Sequence, residues 1–454
     1  MTALSPTSPL AAPAARSSFA RGACPALDAP MLTGDGYLTR LAFSEDLTPQ
    51  QLQSLCTLSE RHGNATVDIT ARGNLQIRGL SEISAQALER DVRSLDLPLR
   101  EGLAVEWSPL AGEDPDEATD PRPLGSAIIE GAGRLAGHLA PKMSVVIDGG
   151  GRIDLDHLLA DIRLRAFRSG GTINWQLTLG GTAATGRLIG QLADADAAGI
   201  VLALLERLAL LGTKARGRDL AAGDLPAQMR MQVTAPMGRP TASVPAPFGT
   251  FDLRTSAAAR IAVAFGQCGA ERLHALAQEA ERLGIARLRP APDHALIAFG
   301  SAPDCEALVE HAARQGFITR AGDPLAEISA CPGIRACRSG RYATHETGRD
   351  AARNAAALLD GSVRLHLSGC EKGCAHPTRA TLTLAGAADG THLVFDGKTT
   401  DTPLQLLASG SEAAALAVLS ALMETERRPG ETSRDCLAHL GPARITAALS
   451  EGTR

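Results

Sequence analysis

VDITARGNLQIR, residues 67–78, is the stretch whose reading decides the fold. Its odd positions, Val67, Ile69, Ala71, Gly73, Leu75 and Ile77, are apolar or small. Its even positions, Asp68, Thr70, Arg72, Asn74, Gln76 and Arg78, are all polar. Strict alternation predicts one strand with two unlike faces. Upstream, residues 37–43 alternate as well, and Thr48-Pro49 supplies an N-cap with proline at the first helical position; Leu52, Leu55 and Leu58 then mark a helix to about His62. The unit reads strand, helix, strand. Its polar face fits a solvated sheet surface. Two arginines with Asn and Gln in one row would also form a wall of donors for a carboxylate-rich ligand.

The unit recurs. Residues 260–300 give a strand (261–265), a helix (271–283, apolar at Leu273, Leu276 and Ala277) and a strand (295–299). Pro292, Asp293 and His294 stand where the arginine-rich stretch should begin, so this copy is read as structural. A second kind of unit also occurs twice. Residues 143–148 form an apolar strand running into Gly149-Gly150-Gly151, then a helical or irregular stretch, a strand (173–179) and a helix (195–211). Residues 363–367 run into Ser368-Gly369-Cys370, followed by strands at 380–384 and 392–395 and a helix at 412–425. The order is A-B-A'-B'. It divides the chain into a disordered tail (1–25) and units 26–120, 121–235, 236–325 and 326–454.

Only the last unit carries paired cysteines: Cys331 and Cys337 with five residues between them, then Cys370 and Cys374 with three. Four soft thiolates from two short loops suit a [4Fe-4S] cluster. A structural zinc is the alternative, although its cysteine pairs usually stand two to four residues apart. A disulfide framework fits poorly, because a 454-residue chain with nine cysteines and no secretory signal belongs in the reducing cytoplasm. Cys24, Cys56, Cys268, Cys305 and Cys436 lack partner spacing and read as buried apolar residues.

Composition excludes other classes. At 44% hydrophobic residues the chain has material for real cores, yet no apolar run reaches the roughly 18 residues needed to span a bilayer. A net charge of −5 offers no basic field for nucleic acid, and 3% aromatics offer few stacking platforms. Residues 1–25 are rich in Ala, Ser and Pro without a continuous apolar core, and read as a tail rather than a signal peptide.

Taken together, the A-B-A'-B' order, TARGNLQIRG (70–79) and the two cysteine loops resemble the sulfite and nitrite reductase hemoprotein family, from residue 24 onward. The resemblance implies an α+β fold with two ferredoxin-like half-domains and two related α/β domains, one bearing the cluster. It implies that Cys331, Cys337, Cys370 and Cys374 hold a [4Fe-4S] cluster, which the reductases couple to siroheme through a bridge at the position of Cys374. SGCEKGCAHP (368–377), ACPGIRAC (330–337), RGACPALDAPMLTGDGYL (21–38) and WSPLAG (107–112) are similar to one branch. That branch oxygenates precorrin-3A in aerobic cobalamin biosynthesis.

The departures agree with that branch. Of two lysines that bind anions in the reductases, Lys142 matches the first and Ser144 replaces the second. An arginine expected just before 107–109 is missing from LAVEWSP, and Lys372 replaces an asparagine between the last cysteines. Arg40, Arg72, Gln76, Arg78 and Lys142 are then the candidate contacts to substrate carboxylates. The resemblance implies dioxygen as oxidant, hydroxylation at carbon 20 with γ-lactone closure, a non-heme iron, and electrons from NADH. GGGR at 149–152 lacks the G-x-G-x-x-G spacing, so a separate reductase or ferredoxin is the expected donor. No two-histidine, one-carboxylate set is marked; among His138, His345, His366 and His376, the last is the best candidate iron ligand. Two other readings stand: a siroheme-dependent nitrite or sulfite reductase, and a non-catalytic tetrapyrrole carrier or zinc-stabilised binding protein.

Overall fold

The computed structural model describes residues 25–224 and 247–452; the tail, Cys24 and the segment 225–246 lie outside them. The first unit comprises β1 (Met31–Leu32), β2 (Tyr37–Leu41), α1 (Pro49–His62), β3 (Thr66–Ile69), β4 (Leu75–Leu80) and α2 (Glu82–Arg93). Thr48 caps α1 as a capping box: its hydroxyl accepts from the Gln51 amide at 3.2 Å, and Gln51 Oε1 accepts from the Thr48 amide at 2.9 Å.

Residues 67–78 are not one strand. They form a hairpin, with Val67 opposite Ile77, Asp68 opposite Gln76 and Ile69 opposite Leu75. The turn spans 70–74, and Gly73 takes φ +73°, a left-handed conformation that glycine adopts without strain. Five turn residues keep parity, so odd residues face odd residues and the alternation runs through the turn unbroken. Val67, Ile69, Leu75 and Ile77 therefore all enter one core.

Next come β5 (Ala104–Glu106), α3 (Arg122–Ala132), β6 (Ser144–Asp148), β7 (Ile162–Ser169), β8 (Thr172–Leu179), β9 (Arg187–Ala193) and α4 (Asp194–Leu211). The second half-domain has β10 (Gly249–Asp252), β11 (Ala257–Ala262), β12 (Gln267–Gly269), α5 (Ala270–Arg282), β13 (Arg287–Ala291), β14 (Ala295–Gly300) and α6 (Ala302–Arg314). The last unit has β15 (Ile328–Ala330), α7 (Thr344–Asn354), β16 (Leu365–Ser368), β17 (Ala380–Gly386), β18 (Thr391–Gly397), β19 (Gln405–Leu407), α8 (Glu412–Glu426) and α9 (Ser433–Gly452). β7 lies in the stretch read as helical or irregular, and β1, β5, β9, β10, β12, β13, β15 and β19 carry no strand in the sequence reading. The strand expected at 261–265 stops at Ala262, and Phe265 sits in a 3₁₀ turn with φ +59°.

The duplication is exact in topology. The sheets β5-β6-β7-β8-β9 and β15-β16-β17-β18-β19 each have their first three strands parallel and their last three antiparallel. In each, a helix (α3 or α7) crosses from the first strand to the second, and another (α4 or α8) follows the fifth. The half-domains exchange pairing: β12 joins β3 in the first sheet, while Leu47 bridges Leu288 of β13 in the second. Helices α1 and α5 pack together, and Leu52, Leu55, Leu273 and Leu276 share one core.

The two hairpin tips meet, with Arg72 bridging Pro292. On the first sheet, the face away from the core carries Arg40, Asp68, Gln76 and Gln267 in adjacent register. The matching face of the second sheet carries Ala258, Ala262, Ala291, Ala295, Ile297 and Phe299, all buried, with Arg260, Arg287 and Arg289 in register among them. The second copy is thus mainly apolar, with Arg260 stacked on Phe248 and Arg287 on Phe299.

Candidate cysteine cluster and arginine cleft

All four paired cysteines lie just beyond the C-terminal ends of two adjacent parallel strands. Cys331 and Cys337 follow β15, and Cys370 and Cys374 follow β16. Such strand ends are where open α/β sheets bind ligands. Cys331 is fixed from three sides: its amide donates to Leu367 O at 3.1 Å, its sulfur accepts from the Gly369 amide at 3.1 Å, and Thr344 Oγ1 donates to its carbonyl. The second loop is held by Ser368 Oγ donating to Cys370 O at 2.6 Å and Thr399 Oγ1 donating to Glu371 O at 2.7 Å. Lys372 reaches across to Ser339 Oγ at 3.1 Å. Gly369 sits where the loops close: a β-carbon there would stand 3.0 Å from Gly333 Cα, 3.1 Å from Gly340 Cα and 3.6 Å from the Cys331 sulfur.

The donor set fits an iron–sulfur cube better than a single ion. Burial, followed by the charges of Cys370, Cys331 and Cys337, pushes the Cys374 thiol up, so the four thiols share one electrostatic site. No three of their sulfurs lie within 4.8 Å of one another. Tetrahedral zinc, with Zn–S bonds of about 2.3 Å, would bring them to about 3.8 Å. Among the described residues one trio does meet that 4.8 Å limit, Glu431, Cys436 and His439 at the start of α9, but Glu431 and His439 are already paired at 2.6 Å.

His366 and His376 adjoin the second loop, their rings 5.7 Å apart. His366 is fully buried, with both nitrogens lacking a hydrogen-bond partner among the described residues; burial, then His376, lowers it to about 4. His345, on α7, packs against Phe265 with ring centroids 5.0 Å apart, and burial, then Arg349, lowers it to about 4. His138 is half-buried and lies apart, after α3. Cys56, Cys268, Cys305 and Cys436 are buried.

The polar face of the first sheet runs toward these loops. Arg78 is almost fully buried and grips both Asp35 oxygens (3.0 and 2.9 Å) and Asp68 (3.0 Å). The hairpin carrying Asp35 in turn abuts the first cysteine loop, where the Gly34 amide donates to Ala336 O at 3.2 Å. Arg78 is thus a strut between sheet and cysteine loop. Gln76 bridges its neighbours in the amide orientation that satisfies both, accepting from Arg40 at 2.9 and 3.1 Å and donating to Asp68 at 3.3 Å.

Arg72 stands at the opposite end, in the hairpin turn. It lines a small, solvent-open cleft with Arg100, Glu106, Trp107, Leu158 and Arg289. This cleft lies at the C-terminal end of β5, the strand topologically equivalent to β15. Arg72 pairs with Glu106 and donates to Leu159 O; Ser144 Oγ donates to the same carbonyl at 3.4 Å. Arg100 pairs with Glu106 at 3.8 Å, and Arg289 pairs with Asp46 at 3.2 Å. Burial first, then the charges of Arg72, Arg289 and Arg40, holds Arg100 below its ordinary value against the pull of Glu106.

The structure therefore splits the five arginine-wall candidates. Arg72 lies in the cleft with Arg40 near it, Gln76 is in the middle of the face, and Arg78 is at the cysteine end. Lys142 is exposed at φ +66°, just before β6. Sequence reading missed Glu106, Arg100 and Arg289, which carry no periodic signal, and Asp35, which lies 43 residues from its arginine. The GGGR loop packs against an acidic loop, with Arg152 Nε donating to Asp114 at 3.0 Å.

The fold is of the nitrite/sulfite reductase-like class, and residues 30–95 match the family model described as the Nitrite/Sulfite reductase ferredoxin-like half domain. Within that class the chain belongs to the precorrin-3B synthase family and is an oxidoreductase. It is 39% identical over 441 residues to Precorrin-3B synthase of Sinorhizobium sp, with 96% of each chain covered. It is 25% identical over 398 residues to Ferredoxin--nitrite reductase of Synechococcus elongatus, covering 78% of this chain and 77% of that one. The solved structure of Mycobacterium tuberculosis NirA protein superposes with a TM-score of 0.70 at 18% identity, covering 90% of this chain and 84% of the other, and shares the fold. No helix among the described residues is long and apolar enough to cross a membrane.

Proposed function

We propose that this chain hydroxylates precorrin-3A at carbon 20 with dioxygen, with closure of a γ-lactone, in aerobic cobalamin biosynthesis. In this reading Cys331, Cys337, Cys370 and Cys374 hold a [4Fe-4S] cluster. The cluster, when bound, supplies electrons one at a time from an NADH-linked reductase or ferredoxin. The tetrapyrrole lies across the polar face of the first sheet, between Cys374 and the cleft. Arg40, Gln76 and Lys142 meet its carboxylates, while Arg78 holds the face against the cysteine loop and Arg72, paired with Glu106, lines the cleft. One oxygen atom enters the product and the other leaves as water, using two electrons and two protons. The proposal stands without the non-heme iron implied by the resemblance.

One observation carries the choice of oxygenase over anion reductase. Glu106 is buried between Arg72 and Arg100, so the positive charge of this end of the cleft is halved from within. Reduction of sulfite or nitrite needs that charge to hold the anion and its developing negative charge. Attack of dioxygen on a ring carbon does not. Anaerobically purified protein is expected to show iron–sulfur absorption without siroheme bands. Incubated with precorrin-3A, a reductant and labelled dioxygen, it should yield a product one labelled oxygen heavier. Bound siroheme with sulfite or nitrite turnover would overturn the reading.

A further inference from the structure

The cleft at the end of β5 contains an anion seat that is already filled by the protein. Three arginines line it, Arg72, Arg100 and Arg289. Arg289 is committed to Asp46 at 3.2 Å and to Ser44 O at 3.3 Å. The other two converge on one carboxylate: Glu106 Oε2 takes Arg72, and Glu106 Oε1 faces Arg100 at 3.8 Å. Glu106 is 8% exposed, whereas Arg72 and Arg100 keep 29% and 18% of their side chains open to the cleft. A carboxylate held by two guanidinium groups is chemically what a bound oxyanion would be.

Backbone geometry makes this carboxylate a fixed occupant. Glu106 is the last residue of β5, whose parallel pairing to β6 sets Glu106 opposite Val146. Arg72 is anchored independently by Leu159 O and by the bridge between the two hairpin tips. Arg100 is anchored by its amide, which donates to Ala42 O at 2.8 Å. Glu106 thus meets two cations whose own backbones are held elsewhere, so removing its charge leaves both in place.

We propose that Glu106 is a specificity-determining residue: its carboxylate occupies the anion seat between Arg72 and Arg100 and so closes the cleft to small inorganic oxyanions. With Glu106 ionised, the pair of arginines presents one net positive charge; with a neutral side chain of the same shape it presents two, side by side and partly desolvated. The inference rests on the proposed function only in taking this cleft as part of the substrate site. Its test uses neither tetrapyrrole nor dioxygen, so the two can fail separately.

The experiment is calorimetric titration of the purified full-length protein with inorganic sulfite and, separately, inorganic phosphate, in chloride-free buffer at fixed ionic strength. Glu106→Gln should bind either anion at least ten-fold more tightly than the wild type. Glu106→Asp, which keeps the charge, should stay within about three-fold of wild type. The gain should vanish in Glu106→Gln combined with Arg72→Gln. Two results would each overturn the inference: a folded Glu106→Gln with no gain over the wild type, or a gain that survives loss of Arg72. If Glu106→Gln does not fold, Glu106→Ser takes its place. Failure of both to fold would make the carboxylate a structural strut and overturn the inference as well.

Discussion

At the residue scale, Arg78 ties the polar face of the first sheet to the hairpin that carries Asp35. Arg78 read as one donor in a wall, but the fold spends its whole guanidinium on Asp35 and Asp68. Burial opposes charge on both acids. At Asp35 the Arg78 contacts outweigh burial and lower its pKa, whereas at Asp68 burial prevails and raises it. Arg78→Ala would leave two acids buried without a counter-charge. Denaturant titration at neutral pH should show a loss of about 3–5 kcal/mol, as expected when one partner of a buried pair is removed. A loss below about 1 kcal/mol, the range of a surface pair, would contradict the strut role. Glu117 makes a second case. Burial and the nearby charges of Asp120 and Asp114 raise it to about 7, despite a hydrogen bond from the Gly112 amide. Its folded value exceeds the ordinary 4.5, so the folded state holds the extra proton and stability falls as pH rises from about 4.5 through 7. Glu117→Gln should therefore be the more stable protein at pH 8, by about 1–3 kcal/mol, and converge on wild type near pH 4.5. Parallel stability curves across that range would refute the shift.

At the element scale, periodicity located about half of the strands but not where the chain reverses. The hairpin at 67–78 passed for one strand because its five-residue turn preserves odd–even parity; only Gly73 marks the reversal, and a lone glycine also fits a strand interior. β7 was missed for a different reason. Its non-core face carries Arg163, a buried arginine that donates to Leu155 O at 2.8 Å and also to Leu158 O, and a charged residue inside a buried strand defeats an apolar-run criterion. The cysteine spacing announced two loops without showing that parallel strands β15 and β16 bring them together. Gly369 joins those scales, since it lets the loop after β16 touch the loop after β15. Gly369→Ala should spread the loops. Iron and acid-labile sulfide per chain should fall at least several-fold after anaerobic purification, while far-ultraviolet dichroism stays like wild type. Full iron content in a folded variant would show that the close approach is dispensable.

At the scale of the whole molecule, the duplication visible as A-B-A'-B' understates how far the two halves depend on each other. Sequence repeats report similarity between units, whereas exchange of strands and sharing of a core leave no repeat signal. Here β12 from the second half completes the first sheet, Leu47 from the first half pairs with Leu288 of β13 through two backbone hydrogen bonds of 2.8 Å, and α1 and α5 close a single apolar core. The first half-domain alone would expose the α1 face carrying Leu52 and Leu55 and leave β3 as an unpaired edge. Cutting the chain within 225–246 should therefore give two fragments that co-elute as one particle of the intact size when produced together. Either fragment produced alone should aggregate or lack a cooperative melt. Two fragments that elute separately, each with its own sharp transition, would mean that the shared core contributes little. The proposed function would then lose its footing, because it needs the polar face of the first half held against the cysteine loops of the second.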